Sequence, residues 1–185
     1  MLDGSTDDGD LSARRVTRSD ADLAIVQGGL ERAPAYFLAV DGAPARPGAA
    51  RRLRDARPEG LPAENKHTLI FTRGGDAVGS VDVLVGHPGP RTAFVSLRVI
   101  DEERGGRGLG GRGFRMVGCE LRGHRPALRR IRLAVVEGQD GAMTFWRKMG
   151  FVATGETSVY QDGDEETTLV MFEKALAPPR PGTVE

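Results

Sequence analysis

A loop rich in glycine and arginine constrains this sequence more than any other segment. Residues 99–114 are VIDEERGGRGLGGRGF, so the loop lies between the end of a β-branched run and the start of an expected helix. The backbone N–H groups at such a junction lie at the positive end of the helix dipole and form a site for an anion. The segment therefore predicts a strand, an anion-binding loop and a helix in succession.

A second segment narrows the choice of ligand. Residues 139–151 are QDGAMTFWRKMGF, which has the apolar spacing of a short helix and a glycine that ends it. A β-branched run at Ile131–Val136 separates this helix from the first one. The two segments together favour a protein that binds the pyrophosphate of a nucleotide-tailed cofactor.

Composition excludes several classes of protein. The 185 residues are enough for one domain with a core, and the formal net charge of zero gives no argument for nucleic acid or a membrane surface as a partner. No apolar run approaches the ~20 residues that a membrane helix needs. The single cysteine, Cys119, excludes a disulfide within the chain and favours a cytoplasmic location. Three scattered histidines lack ligand spacing, so no metal site is predicted.

Positive charge is concentrated around the loop. The arginines concerned are Arg104, Arg107, Arg112, Arg115, Arg122, Arg125, Arg129, Arg130 and Arg132. Such a cluster is usually a solvated face, and the alternative is that it steers an anionic cofactor.

The pattern along the chain predicts one domain at 11–176, between a disordered N-terminal tail at 1–10 and a flexible C-terminal tail at 177–185. The expected order is β-α-α-β-β-β-α-β-α-β-β, an α/β fold with a mixed sheet and helices on both faces. The expected strands are Ser12–Val16, Thr68–Thr72, Ala77–Val85, Thr92–Ile100, Ile131–Val136, Phe151–Tyr160 and Thr167–Glu173, and the expected helices are about Asp20–Arg32, Ala49–Ala56, Leu109–Gly123 and Ala142–Met149. The strand Ile131–Val136 is expected to lie parallel to Thr92–Ile100.

One interpretation of the loop is a nicotinamide-dinucleotide site. Residues 108–113 have the spacing G-x-G-x-x-G, and Glu137 ends the following strand, as in the Rossmann fingerprint. The context argues against it, because three strands of antiparallel character precede the loop and too little chain follows it for a second βαβ half. An oxidoreductase is therefore the less favoured alternative.

The two segments together resemble the acyl-CoA-dependent N-acyltransferases of the GNAT superfamily. The first motif is IDEERGGRGLGGR at 100–112, and the second is Gln139…Ala142…Phe145-Trp146…Gly150-Phe151. The resemblance covers roughly residues 12–176. It implies a GNAT-like fold with a mixed, centrally splayed sheet, and acetyl-CoA as the cofactor.

The resemblance also implies which residues bind coenzyme A. The backbone of Arg98, Val99 and Ile100 would hold the pantetheine arm. The loop and the start of the helix would hold the pyrophosphate through Gly105, Gly106, Arg107, Gly108, Leu109, Gly110 and Gly111. Gly105 stands where the family usually has Arg or Gln, and Gln139 where it has Asn. Trp146 stands where many members have the tyrosine that protonates the leaving thiolate, and we expect it to pack beside the pantetheine.

The implied activity is N-acetylation of a primary amine in a small molecule or a peptide, by direct attack in a ternary complex. Asp82, a lone acid in an apolar strand, is either a satisfied structural acid or the base that takes the proton from the amine. Tyr160 is either a surface aromatic or a second catalytic candidate. The acceptor pocket is expected from residues 33–61 and the closing hairpin. A non-catalytic acyl-CoA-binding module of the same fold is the main alternative, and a homodimer stays open.

Overall fold

A computed structural model describes residues 6–8, 10–101, 103, 108–162 and 165–176. Within these residues, one eight-stranded sheet has the order β1-β2-β3-β4-β5-β6-β8-β7. Its strands are β1 (Thr6–Asp8), β2 (Leu11–Arg15), β3 (Lys66–Arg73), β4 (Asp76–Val85), β5 (Thr92–Ile100), β6 (Arg130–Val136), β7 (Val152–Asp162) and β8 (Glu165–Ala175). The helices are α1 (Asp20–Glu31), α2 (Pro34–Asp41), α3 (Ala49–Asp55), α4 (Leu109–His124) and α5 (Asp140–Lys148). None of these helices is long and apolar enough to cross a membrane.

The sheet is mixed, with its parallel pair at the centre. All neighbouring strands run antiparallel except β5 and β6, which are parallel as the sequence predicts. Pairing between β5 and β6 covers only Thr92–Val95 against Arg130–Leu133. Beyond it, β5 continues to Ile100 and β6 to Val136, each still paired on its other side. The two strands therefore diverge, and the predicted central splay is confirmed.

A β-bulge in β5 lies where the strands begin to diverge. In the pairing with β4, Asp82 lies opposite Leu97 and Val83 lies opposite Val95, so Ser96 has no partner of its own. A bulge bends its strand and increases the local twist, which turns the end of β5 away from β6. It also changes which face the side chains point to. Val95 packs with the core under α4 and α5, whereas Leu97 packs with the core under α1–α3.

The helices cover both faces of the sheet, as predicted. Leu23, Val26 and Leu30 of α1 are buried with Phe37 of α2 on one face. On the other face, α4 and α5 bury a cluster of aromatic and aliphatic side chains, which includes Phe114 and Trp146. The central strands are therefore covered on both faces, whereas most residues of β7 are exposed.

Two elements differ from the sequence prediction. Thr6–Asp8 pairs with Ala13–Leu11, so part of the tail predicted at 1–10 is a strand. Asp10 extends this anchorage, because it forms an ion pair with Arg112 at 2.8 Å. Helix α2 was also absent from the prediction, although Pro34 begins it and Gly42, at φ 65°, ends it. The predicted tail at 177–185 lies outside the described residues.

Candidate functional site

A cavity of about 1010 Å³ opens where β5 and β6 diverge. Residues 94–100 of β5 and 133–136 of β6 line it from within the sheet. Side chains from α1–α3 line it on one face of the sheet, and side chains from α5 line it on the other. The volume is at the upper end of the range for small-molecule sites, roughly 300–1,000 Å³. A cavity of this size that reaches both faces has room for two ligands that meet inside the sheet.

The free edges of the two strands give this cavity a specific chemistry. Past Val95 and Leu133, the backbone groups on the facing edges of β5 and β6 have no partner strand among the described residues. An extended ligand with amide groups binds such an edge as an added strand would. Arg98, Val99 and Ile100 lie on this free edge, which is where the resemblance puts the contacts with a pantetheine arm.

The first turn of α4 carries a second set of unpaired donors. Its N-cap residue is Gly108, whose φ of 71° is a left-handed conformation that favours glycine. No side chain of the described residues caps the helix, so within this part of the chain the N–H groups of Leu109, Gly110 and Gly111 are available to bind an anion. These three residues lie where the sequence predicts an anion site. Gly105, Gly106 and Arg107, which complete the predicted loop, lie outside the described residues.

Arg98 brings a positive charge to the same place. A Cβ atom built on Gly110 would overlap the Arg98 guanidinium, so glycine is required there for the side chain to fit. The guanidinium carbon lies 4.1 Å from the centre of the Phe145 ring and 5.7 Å from that of Trp146. Its Nε is buried with no hydrogen-bond partner among the described residues, and burial lowers the pKa of Arg98 to about 10. A charged guanidinium thus lies beside a helix N-terminus with no acid paired to it among the described residues, which favours an anionic ligand.

The two predicted residues of the second motif lie on the same side of the cavity. Gln139 is the N-cap residue of α5, and its side chain makes no capping bond. Trp146 is 7% exposed and packs edge-to-face against Phe114, Phe145 and Phe151, with ring centroids 5.0, 5.0 and 5.2 Å away. These contacts fit the predicted packing role of Trp146, because an indole ring held by three other rings is part of the cavity wall.

Asp82 is fully buried and accepts hydrogen bonds from three side chains. Lys66 Nζ lies 2.6 Å from its Oδ2 and Thr68 Oγ1 lies 2.6 Å from its Oδ1, while the Ser96 hydroxyl donates to Oδ2. Lys66 and Ser96 line the cavity, whereas Asp82 lies behind them. The carboxylate thus has the partners of a satisfied structural acid. Its part in moving a proton stays a prediction.

Two tyrosines lie at the cavity. Tyr160 of β7, the predicted candidate, is 40% exposed and lines it. Tyr36 of α2 also lines it, and no motif in the sequence assigns Tyr36 to the site. Burial, with a smaller effect of the neighbouring Asp41, raises the pKa of Tyr36 above its usual value. Tyr36 therefore keeps its proton, and its O–H is a potential hydrogen-bond donor.

The predicted acceptor region also lines the cavity. Residues between 33 and 58 contribute, together with Tyr160 and Leu169 of the closing hairpin. Arg46, Arg52 and Arg57 are among them, and no motif in the sequence pointed to these arginines. Some arginines of the cluster that the sequence shows around the glycine loop form ion pairs. Arg130 forms an ion pair with Glu173 at 3.5 Å, and Arg132 with Glu156.

Comparisons with known proteins give information on the fold. No protein-family model matches the chain, and no curated protein matches its sequence. An acetyltransferase from Thermus thermophilus matches with a TM-score of 0.65 at 22% identity, over 89% of this chain and 97% of that one. The ribosomal-protein-S18-alanine N-acetyltransferase from Escherichia coli matches with a TM-score of 0.64 at 14% identity, over 94% and 98%. A GNAT family acetyltransferase from Elizabethkingia anophelis, with acetyl-CoA bound, matches with a TM-score of 0.59 at 11% identity, over 91% and 100%.

Proposed function

From the fold of the GNAT acetyltransferases, which this chain has, we propose that the protein is an acetyl-CoA-dependent N-acetyltransferase acting on a primary amine of a small molecule or peptide. The observation that carries the proposal is the cavity between the diverging strands, with the buried Arg98 guanidinium in its lining and the N-terminus of α4 beside that guanidinium. Fold similarity alone does not decide function, so the proposal depends on this site.

The residues present fit coenzyme A. The N–H groups of Leu109, Gly110 and Gly111, with the Arg98 guanidinium, would hold its diphosphate. The free edge of β5 would hold the amide-bearing arm. The neighbour with acetyl-CoA bound supports the choice of ligand. Gly105, Gly106 and Arg107 complete the proposed loop, and Gln139 and Trp146 complete the wall beside the arm.

The chemistry that follows is acyl transfer. When bound, acetyl-CoA supplies an activated acetyl carbonyl, and the products are an amide and a free thiol. The backbone N–H groups on the free edge of β5 are available to polarise a carbonyl oxygen. The cavity orients the acceptor against the same edge from the face of α1–α3, so positioning supplies much of the rate.

The acceptor amine must lose a proton, because an alkyl ammonium has a pKa of ~10.4. We propose that the Ser96 hydroxyl passes this proton to Asp82, with Tyr160 as the alternative acceptor at the rim. Tyr36, which keeps its own proton, would donate a hydrogen bond in the cavity. Trp146 cannot protonate the leaving sulfur, but a thiol with a pKa near ~8.5 leaves acceptably as the thiolate.

One pair of measurements tests the proposal. We expect coenzyme A and acetyl-CoA to raise the Tm of the protein and NAD to leave it unchanged, because the diphosphate site is joined to an edge suited to an amide chain. We also expect thiol release from acetyl-CoA that depends on an added amine.

The other outcomes point to the alternatives. Binding of coenzyme A without amine-dependent thiol release, over a panel of amines and amino acids, would indicate a non-catalytic acyl-CoA-binding module. A rise in Tm with NAD and none with coenzyme A would indicate the dinucleotide interpretation of the glycine loop.

A further inference from the structure

The face of the cavity towards α1–α3, residues 30–58, has an excess of positive charge; we call it the acceptor wall. Its described residues include three arginines, Arg46, Arg52 and Arg57, and one carboxylate, Asp41. The nearby ammonium of Lys66 does not add to the excess, because Asp82 balances it at 2.6 Å. The rest of the acceptor wall is mainly apolar, so the arginines dominate its charge.

The arginines of helix α3 differ in the partners that they have. Arg51 and Arg54 lie outside the cavity lining and pair with acids, with Asp20 at 2.9 Å and Asp55 at 2.7 Å. Arg52, on the same helix, lines the cavity, and its described hydrogen bond goes to the carbonyl oxygen of Pro47 at 3.2 Å. The arginines that face away from the cavity therefore have acidic partners, whereas the one that lines it has none in the described structure.

Arg57 extends the pattern just past the end of α3. It lines the cavity and makes no hydrogen bond or ion pair within the part of the chain that the structure describes. Two guanidinium groups without acids on one wall are a site for an anion, because the planar fork of donors fits a carboxylate or a phosphate.

We propose that the amine acceptor carries an anionic group, a carboxylate or a phosphate, which Arg52 and Arg57 bind at the acceptor wall. The inference rests on the proposed N-acetyltransferase function and names the substrate class of that site. It follows that acceptors with additional positive charge, such as polyamines and basic peptides, bind poorly, because the same wall repels them.

The positive wall also favours the reactive form of the acceptor. Nearby cations destabilise an ammonium group relative to the neutral amine, so they lower its pKa. Only the neutral amine has the lone pair that forms the new N–C bond as the C–S bond breaks. The arginines would thus bind the acceptor through its anion and also help its amine to lose a proton.

Matched pairs of acceptors test the charge directly. Thiol release from acetyl-CoA would be measured with an apolar α-amino acid and its methyl ester, with phosphoethanolamine and ethanolamine, and with spermidine. We expect kcat/KM to be at least tenfold higher for the anionic member of one pair, which corresponds to about 1.4 kcal/mol. The ester has the more easily deprotonated amine, so intrinsic reactivity alone would favour it. The pair that shows the preference identifies the anion as carboxylate or phosphate.

Variants locate the effect. Arg52→Gln and Arg57→Gln should each raise KM about tenfold for the acceptor with the anionic group, while leaving KM for its counterpart without that group within about twofold. Arg51→Gln is the matched control for Arg52→Gln, because it removes the same charge from the same helix outside the cavity. It should change neither of the two KM values. The rise in Tm caused by coenzyme A should be the same in all three variants.

Two results would overturn the inference while the proposed function stands. One is thiol release with no preference for the anionic member of either pair. The other is an equal rise in KM in Arg51→Gln and Arg52→Gln. If coenzyme A neither binds nor reacts with any acceptor in the panel, the proposed function itself is wrong, and the inference fails with it.

Discussion

Both walls of the cavity are positively charged, but different groups supply the charge. The donor wall consists of Arg98, Gln139, Phe145 and Trp146, and the first turn of α4 adjoins it at the Arg98 guanidinium. It presents backbone N–H groups and one buried guanidinium, whereas the acceptor wall presents exposed guanidinium groups on short helices and loops. Backbone donors need glycines at set positions in the sequence, but side-chain donors do not. The donor wall can therefore be recognised from a sequence motif, whereas the acceptor wall cannot.

The difference also sets the size of the effects. Arg98 lies in a site of low polarity, where an unbalanced charge interacts strongly with a ligand. Arg52 and Arg57 are exposed, so water and salt screen them. We therefore expect the largest effects from substitutions at the buried centre and at the first turn of α4.

The largest effect is expected at the boundary between the walls, in Asp82→Asn. The change leaves the Lys66 ammonium buried without its counter-charge and should lower the free energy of unfolding by about 3 kcal/mol or more. Urea denaturation would measure it. Asp20→Asn is the control, since its ion pair with Arg51 is exposed and should contribute little.

The pH profile of the same variant separates structure from chemistry. If Asp82 takes the proton from the amine through Ser96, turnover should fall ~10²–10⁴-fold and recover at high pH, where the amine deprotonates by itself. If the variant melts early with an unchanged pH profile, Asp82 is only structural, and Tyr160 or an ordered water becomes the next candidate. Turnover of Tyr160→Phe, with Tyr36→Phe for comparison, would then decide.

The next largest effect is expected in Gly110→Asp, which tests the donor wall. The new Cβ overlaps the Arg98 guanidinium, so that side chain would have to shift, and the new carboxylate at the N-terminus of α4 would occupy and neutralise the anion site. We expect the affinity for coenzyme A to fall at least ~100-fold, about 2.7 kcal/mol, while the fold persists. Isothermal titration would measure the affinity and circular dichroism the fold.

Gly123→Asp is the control for this change. It adds the same charge to the last turn of α4, where a Cβ meets nothing within 4 Å. It should leave the affinity for coenzyme A unchanged. If Gly110→Asp binds coenzyme A as well as the parent, the diphosphate does not lie at this helix N-terminus.

A smaller effect is expected in Arg98→Met. Removing the guanidinium should weaken binding of coenzyme A about tenfold, and the ligand-free protein should be as stable as the parent or more so, because a buried charge without a partner is lost. Arg98→Lys should retain part of the affinity. Titration and thermal melts would measure both properties.

Two controls accompany Arg98→Met: a substitution of another arginine, and a ligand that lacks the phosphates. Arg147→Met removes another arginine near an aromatic ring, that of Phe172, but outside the cavity lining, and it should have no effect on binding. A pantetheine thioester without phosphates should bind parent and Arg98→Met equally. A tenfold loss with that ligand as well would mean that Arg98 contacts the arm and not the diphosphate.

Most of the fold and the donor wall could be predicted from the sequence because their determinants are local. The strands of β-branched residues, the glycine loop and the stop at Gly150 each belong to one short segment. The partners of Asp82 could not be predicted, because Lys66, Thr68 and Ser96 reach it only through strand register and the bulge in β5. Arg98 looked like a residue that contributes backbone only. Its side chain lies beside the N-terminus of α4 because Gly110, in another element, has no Cβ to exclude it.

The smallest effect is expected in Trp146→Phe. The indole is held by three aromatic rings, so phenylalanine keeps part of that packing, and each aromatic pair contributes about 0.5–1.5 kcal/mol. We expect stability to fall by about 1 kcal/mol and the affinity for coenzyme A to fall only a few-fold, with turnover retained, because the indole N–H is too weak an acid to protonate a thiolate. Thiol release at saturating acetyl-CoA would measure turnover. A fall on the order of 10³-fold in turnover, with binding and fold intact, exceeds what packing explains and would give Trp146 a direct chemical role.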